Sequence, residues 1–77
     1  MLKKLGDYKS NYVGATDSNG ERQGIGSCTY ADGSVYEGNW LNGGRHGQGK
    51  YTFSNGAIYD GMWEHNMMHG KGKLTVP

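Results

Sequence analysis

Seventy-seven residues hold at most one small domain. A net charge of +1, with acids and bases dispersed, gives neither a nucleic-acid footprint nor a polybasic membrane patch. The single Cys28 excludes an intrachain disulfide and fits a reducing compartment, no apolar run approaches transmembrane length, and residues 1–11 lack a signal-peptide core.

Fifteen glycines stand beside six Tyr, two Trp and one Phe. That many rings argues against disorder, and glycine is costly enough in backbone entropy that each must hold a position.

Residues 1–11 form an N-terminal segment outside any internal pattern. From residue 12 the chain repeats itself. Tyr-x-Gly occurs at Tyr12-Val-Gly14, Tyr36-Glu-Gly38 and Tyr59-Asp-Gly61. Gly-x-Gly follows each time, at Gly24-Ile-Gly26, Gly47-Gln-Gly49 and Gly70-Lys-Gly72. The units are 12–35, 36–58 and a shortened 59–77, with one extra residue between the motifs of the first.

Within a unit the apolar pattern has period 2. Tyr36, Gly38 and Trp40 alternate with Glu37, Asn39 and Leu41; Gly47, Gly49, Tyr51 and Phe53 alternate with Gln48, Lys50 and Thr52. Each unit is therefore two half-buried strands, and no helix is expected. Paired residues share a face. A three-residue turn at Ser54-Asn55-Gly56 pairs Phe53 with Ala57 and Tyr51 with Tyr59, with Gly56 in the left-handed position; Ala31-Asp32-Gly33 does the same earlier. The connection from Leu41 to His46 reads as a six-residue loop pairing Trp40 with Gly47. Its counterpart between Thr16 and Gly24 reads as seven residues.

This register writes three rows across the sheet. The first is Tyr12, Cys28, Tyr36, Tyr51, Tyr59, Leu74. The second is all glycine: Gly14, Gly26, Gly38, Gly49, Gly61, Gly72. The third is Thr16, Gly24, Trp40, Gly47, Trp63, Gly70. Each Trp then faces glycine on either side, with its indole flat over bare backbone. These glycines are read as packing seats for rings.

"YEGNWLNGGRHGQGKYTFSNGAI" resembles the MORN repeat, and the likeness covers 12–77. Departures are Thr16 for an aromatic, Gln23 for His, and Asn66-Met67-Met68 for Gly-Lys-Arg. More loosely, "NGERQGIG" followed by "YEGNW" resembles the opening repeats of a ciliary radial spoke head protein. The MORN resemblance implies an all-β, single-layer, twisted antiparallel meander of hairpins. It also implies non-catalytic roles: scaffolding, binding a partner's helix, dimerisation, or affinity for phospholipid. The expected setting is cytoplasmic, with a cytoskeletal or ciliary assembly as an open alternative.

Chemistry finds little foothold. His46 and His69 are equivalent, but no Cys or His pair stands at zinc spacing, so they read as hairpin-end residues. Gly47-Gln-Gly49 lacks the third glycine, Lys-Ser/Thr and helix of a nucleotide loop. Cys28 reads as a small buried hydrophobe. Asp17, Glu21, Asp32, Glu37, Asp60 and Glu64 fall on loops or the polar face. No enzyme activity, metal or cofactor is expected.

The functional expectation rests on an imbalance. One face carries the rings, and nothing in the repeats is left to cover it; Leu2, Leu5 and Tyr8 would cover a little. A large apolar patch marks an interaction site, so Tyr36, Trp40, Tyr51, Phe53, Tyr59 and Trp63 are the candidate partner surface. Mutual cover among the rings is the structural alternative. Met67 and Met68 read either as tolerated surface variation or as an adaptable apolar contact. The partner would be another protein, through a helix or a second copy at an open sheet edge. Peripheral phospholipid binding is the alternative, with weak or no membrane binding ranked below a protein partner.

Overall fold

A computed structural model describes residues 11–77. The suggested covering role of Leu2, Leu5 and Tyr8 lies outside them. The described residues form six strands: β1 Asn11–Thr16, β2 Arg22–Thr29, β3 Val35–Leu41, β4 Gly44–Thr52, β5 Ile58–Glu64 and β6 Met67–Thr75. They lie in one antiparallel sheet in chain order, an open meander of hairpins without a helix among the described residues.

The turns between units follow their residue types. Tyr30 N–H donates to Ser34 O at 2.8 Å and Gly33 N–H to Tyr30 O at 3.0 Å. The Phe53 and Ala57 turn repeats this at 2.8 and 2.9 Å. Gly33 and Gly56 take the left-handed conformation, with φ of 93° and 95°. Asp32 and Asn55 side chains close each turn by accepting the N–H of Ser34 at 2.9 Å and of Ala57 at 3.0 Å.

The first two rows form as read. Tyr12, Cys28, Tyr36, Tyr51, Tyr59 and Leu74 pair in succession, and so do the six glycines from Gly14 to Gly72. The third row needs correction. Gly24 does pair with Trp40 and Gly47 with Trp63, but on its other side Trp40 faces Arg45 and Trp63 faces Met68. Instead of a six-residue loop, Asn42-Gly43 makes a two-residue turn with both φ positive, 52° and 84°. His65-Asn66 repeats it at 51° and 69° without glycine. Thr16 likewise pairs with Arg22 rather than Gly24.

The tighter turn is reconciled with the glycine row by a bulge. Between the Gly38↔Gly49 and Trp40↔Arg45 pairs, β3 spends one residue and β4 spends three, with Gly47 among them at φ 79°. Gly24 and Gly70 hold the equivalent places. These glycines are therefore not seats for the indoles: they supply the left-handed backbone that the bulge requires.

The seats belong to tyrosine. A Cβ on Gly49 would run into the ring of Tyr36, one on Gly26 into Tyr12, and one on Gly72 into Tyr59. Lying over bare backbone, each ring sends its hydroxyl to a carbonyl: Tyr36 to Asn39 at 2.7 Å, Tyr59 to Met62 at 3.0 Å. The indoles work at the neighbouring joint. Trp40 Nε1–H donates to Gly26 O at 3.1 Å and Trp63 Nε1–H to Gly49 O at 3.2 Å.

Candidate functional site

The rings cover one another more than the sequence suggests. Tyr12, Trp40, Tyr36, Trp63 and Tyr59 form an edge-to-face series, with centroids 5.3, 5.0, 5.2 and 5.5 Å apart. Tyr36 is fully buried, Trp40 and Trp63 are each 4 % exposed and Tyr59 8 %. The imbalance argued from the sequence therefore fails for these four side chains, because T-shaped packing along the glycine row brings each ring against the next. Burial also raises the Tyr36 pKa above the usual phenol range, partly opposed by the nearby Arg45 guanidinium.

The surface that stays open is narrower. Tyr51, Phe53, Trp63, Met67 and Met68 line one concavity of about 330 Å³, with Arg45 and Asn66 completing it. Tyr51 lies 4.8 Å from Phe53 and 5.7 Å from Trp63, centroid to centroid. Met67 is 66 % exposed and Met68 46 %. Five of the eight candidate partner residues thus meet in one place. Tyr36, Trp40 and Tyr59 belong instead to the buried series beneath and beside it.

The sequence reading gives Arg45 no role and marks Asn66 only as a departure from the repeat pattern. The Arg45 guanidinium lies 4.8 Å from the Trp63 ring centroid, 5.3 Å from Tyr51 and 5.7 Å from Tyr30. It is held there by Nε donating to Asn66 Oδ1 at 2.6 Å and Nη2 donating to Asn66 O at 3.0 Å. Such a cation over rings gains about 0.5–2 kcal/mol. Arg22 does the same over Tyr12 and Trp40, at 4.9 and 5.2 Å. The signal was present: Arg-x-Gly precedes Gly-x-Gly in two units, and Met68 takes the arginine's place in the third.

Elsewhere the chemistry is sparse. His69 Nε2 lies 3.0 Å from Glu64 Oε1 and His65 Nε2 3.7 Å from Glu64 Oε2, all on the exposed hairpin end. The His46 ring centroid is 6.3 Å from that of His65. No group of three or more His, Cys, Asp or Glu could hold a metal among the described residues. Cys28 is fully buried, with Arg22 Nη1 at 3.7 Å from its sulfur. No described helix is long and apolar enough to cross a membrane.

A family model described as MORN repeat matches residues 18–35, 36–58 and 59–77. No curated protein gives a significant match.

Proposed function

Because this chain belongs to the MORN repeat family, whose repeats are commonly protein- or membrane-interaction modules, we propose that it is a non-catalytic scaffold module that seats a partner protein's amphipathic helix in the Tyr51–Met68 concavity. The observation behind this reading is the convergence there of Tyr51, Phe53, Trp63, Met67 and Met68 around one open hollow. Ring spacings of 4.8 and 5.7 Å are close to one turn of a helix, about 5.4 Å. Successive apolar side chains of a helix would therefore meet Phe53 and Tyr51, with the buried Trp63 as the floor beneath Arg45. The two methionines supply an adaptable wall, and Arg45 offers a fixed cation to an acid at the helix flank.

Selection from a library of amphipathic helical peptides tests this. Phe53→Ala and Met67→Ser leave the buried ring series intact, and each should weaken a selected peptide about tenfold, as loss of a contact worth roughly 1–2 kcal/mol would. Lys50→Glu, on the opposite face, should leave it unchanged. Peptides that bind both groove variants undiminished, or that respond to Lys50→Glu instead, would refute the assignment. Salt-sensitive pelleting with anionic vesicles, in the absence of peptide binding, would favour the phospholipid alternative.

A further inference from the structure

The hollow on Tyr51 and Phe53 has one charged wall, and it is positive. Arg45 is half-buried there, and among the described residues no carboxylate pairs with it. We infer that the groove selects an acidic helix in one direction: a partner segment reading apolar-x-x-x-apolar-x-x-acid, whose carboxylate closes on the Arg45 guanidinium. The helix-seating reading above is the premise, and the charge, spacing and direction of the partner are what is added to it.

The two faces of the sheet differ in how they carry charge. On the polar face Glu37, Lys50, Asp60 and Lys73 pair in succession and alternate in sign. Glu64 and Lys71 alternate out to that side as well, beside the ring-face residues Trp63 and Gly72. On the ring face the described strands place two cations, Arg22 and Arg45, each over aromatic rings, and no acid. A mixed face has no preference for the sign of a partner. The ring face favours a negative one and disfavours a positive one.

Arg45 is also fixed in a way that leaves it able to pair. Asn66 takes the side edge of the guanidinium, with Nε donating to Oδ1 at 2.6 Å and Nη2 to the backbone O at 3.0 Å. The end of the fork, one hydrogen from each Nη, is the arrangement that holds a carboxylate through two parallel bonds. Spacing then sets the partner's pattern. Tyr51 lies 4.8 Å from Phe53 and 5.3 Å from the guanidinium, and Arg45 stands at the opposite end of β4 from Phe53. Each step is close to one helical turn, about 5.4 Å. Apolar side chains four apart meet Phe53 and Tyr51, and the residue three further on, on the same helix face, reaches Arg45. The carbonyl end of a helix carries partial negative charge, so that end belongs over the cation and the acid follows the apolar pair.

The probe is a stapled helical peptide carrying Leu-x-x-x-Leu-x-x-Glu, with glutamine and alanine elsewhere, titrated into the full chain at neutral pH by fluorescence anisotropy. Replacing its Glu by Gln should weaken binding about tenfold, and replacing it by Lys should weaken it further. The reversed order, Glu-x-x-Leu-x-x-x-Leu, should bind roughly threefold or more weaker. Arg45→Met, which installs the residue the third unit already carries as Met68, should make the Glu and Gln peptides equal while binding still depends on the leucines. Should that variant fail to fold, the parent decides: added salt should close the gap between the Glu and Gln peptides and leave the Gln peptide's affinity nearly unchanged. Leucine-dependent binding indifferent to Glu, Gln and Lys, or a Glu preference that survives Arg45→Met or high salt, would overturn the acid assignment and leave the groove standing. Equal binding of the two directions would overturn the orientation. Absence of leucine-dependent binding by every peptide, in a chain that circular dichroism shows folded, would overturn the helix seat and the acid assignment together.

Discussion

Gly49→Ala sets two effects of opposite sign against each other. Alanine is the better strand residue, by roughly 0.5–1 kcal/mol in backbone entropy. Yet its Cβ would overlap Oη, Cζ and Cε1 of Tyr36, a ring with no exposed surface. Tyr36 cannot move alone. Its hydroxyl bond to Asn39 O at 2.7 Å is worth about 1 kcal/mol. Its edge contacts with Trp40 and Trp63 are worth about 0.5–1.5 kcal/mol each. Overpacking adds about 1–3 kcal/mol when the core cannot yield. Steric loss wins, and a net cost of roughly 3–5 kcal/mol is expected after allowing for overlap among these terms. In a domain this small, 1 kcal/mol moves Tm by about 4–8 °C, so the variant should melt at least 12 °C lower. Urea unfolding followed by fluorescence of the buried Trp40 and Trp63 reads the change. Lys50→Ala, next in sequence but exposed on the other face, should cost under about 1 kcal/mol. Adding Tyr36→Leu to Gly49→Ala should cost much less than the sum of the two single changes, because the clash is already gone. Equal midpoints for Gly49→Ala and Lys50→Ala, or strict additivity in the double variant, would refute the seat.

Gly47→Ala should cost about 1–2 kcal/mol through its φ of 79° alone, while Gly44→Ala, whose φ is not positive, should fall within about 0.5 kcal/mol of the parent; thermal melts of the pair check the bulge. Arg45→Met should lower stability by about 1–2 kcal/mol, and its effect should be non-additive with Asn66→Ala by more than about 0.5 kcal/mol, since Asn66 holds the guanidinium over the rings. The Ser34 N–H lowers the Asp32 pKa below its ordinary value of 3.8. Its stabilising contribution is therefore present above about pH 4 and lost as pH falls through the lower folded value. Asp32→Asn keeps the acceptor, as Asn55 does in the next turn, so it should fold normally and show a flatter acid limb in pH-dependent melts.

The repeat, the strand face and two of the three rows were legible because alternation and motif spacing fix parity. Parity is also why the third row departs from its expected pairing. A six-residue loop and a two-residue turn followed by a bulge of two extra residues place Gly49 on the same face and opposite the same Gly38. Side-chain pattern alone does not separate them. Asn42-Gly43 was the missing cue, since that dipeptide favours the tight turn with both φ positive. The groove was half legible. Tyr51, Phe53, Trp63 and the methionines were visible as residue types, but the depth of burial of Tyr36 and Trp40 depends on ring orientation, which the alternation does not encode.

The two kinds of joint explain why the unit repeats as it does. Within each hairpin, a tyrosine of the first strand lies over a glycine of the second: Tyr12 over Gly26, Tyr36 over Gly49, Tyr59 over Gly72. Between hairpins, a tryptophan donates back to that same glycine's carbonyl, Trp40 to Gly26 and Trp63 to Gly49. One glycine thus serves two joints, its missing Cβ admitting the ring from one side and its carbonyl anchoring the indole from the other. An arginine then lies over that indole, Arg22 over Trp40 and Arg45 over Trp63. Each hairpin is therefore completed only by a strand from the next, so stability accrues by neighbour contacts along the array. Gly72 is seated under Tyr59 while no described tryptophan reaches its carbonyl.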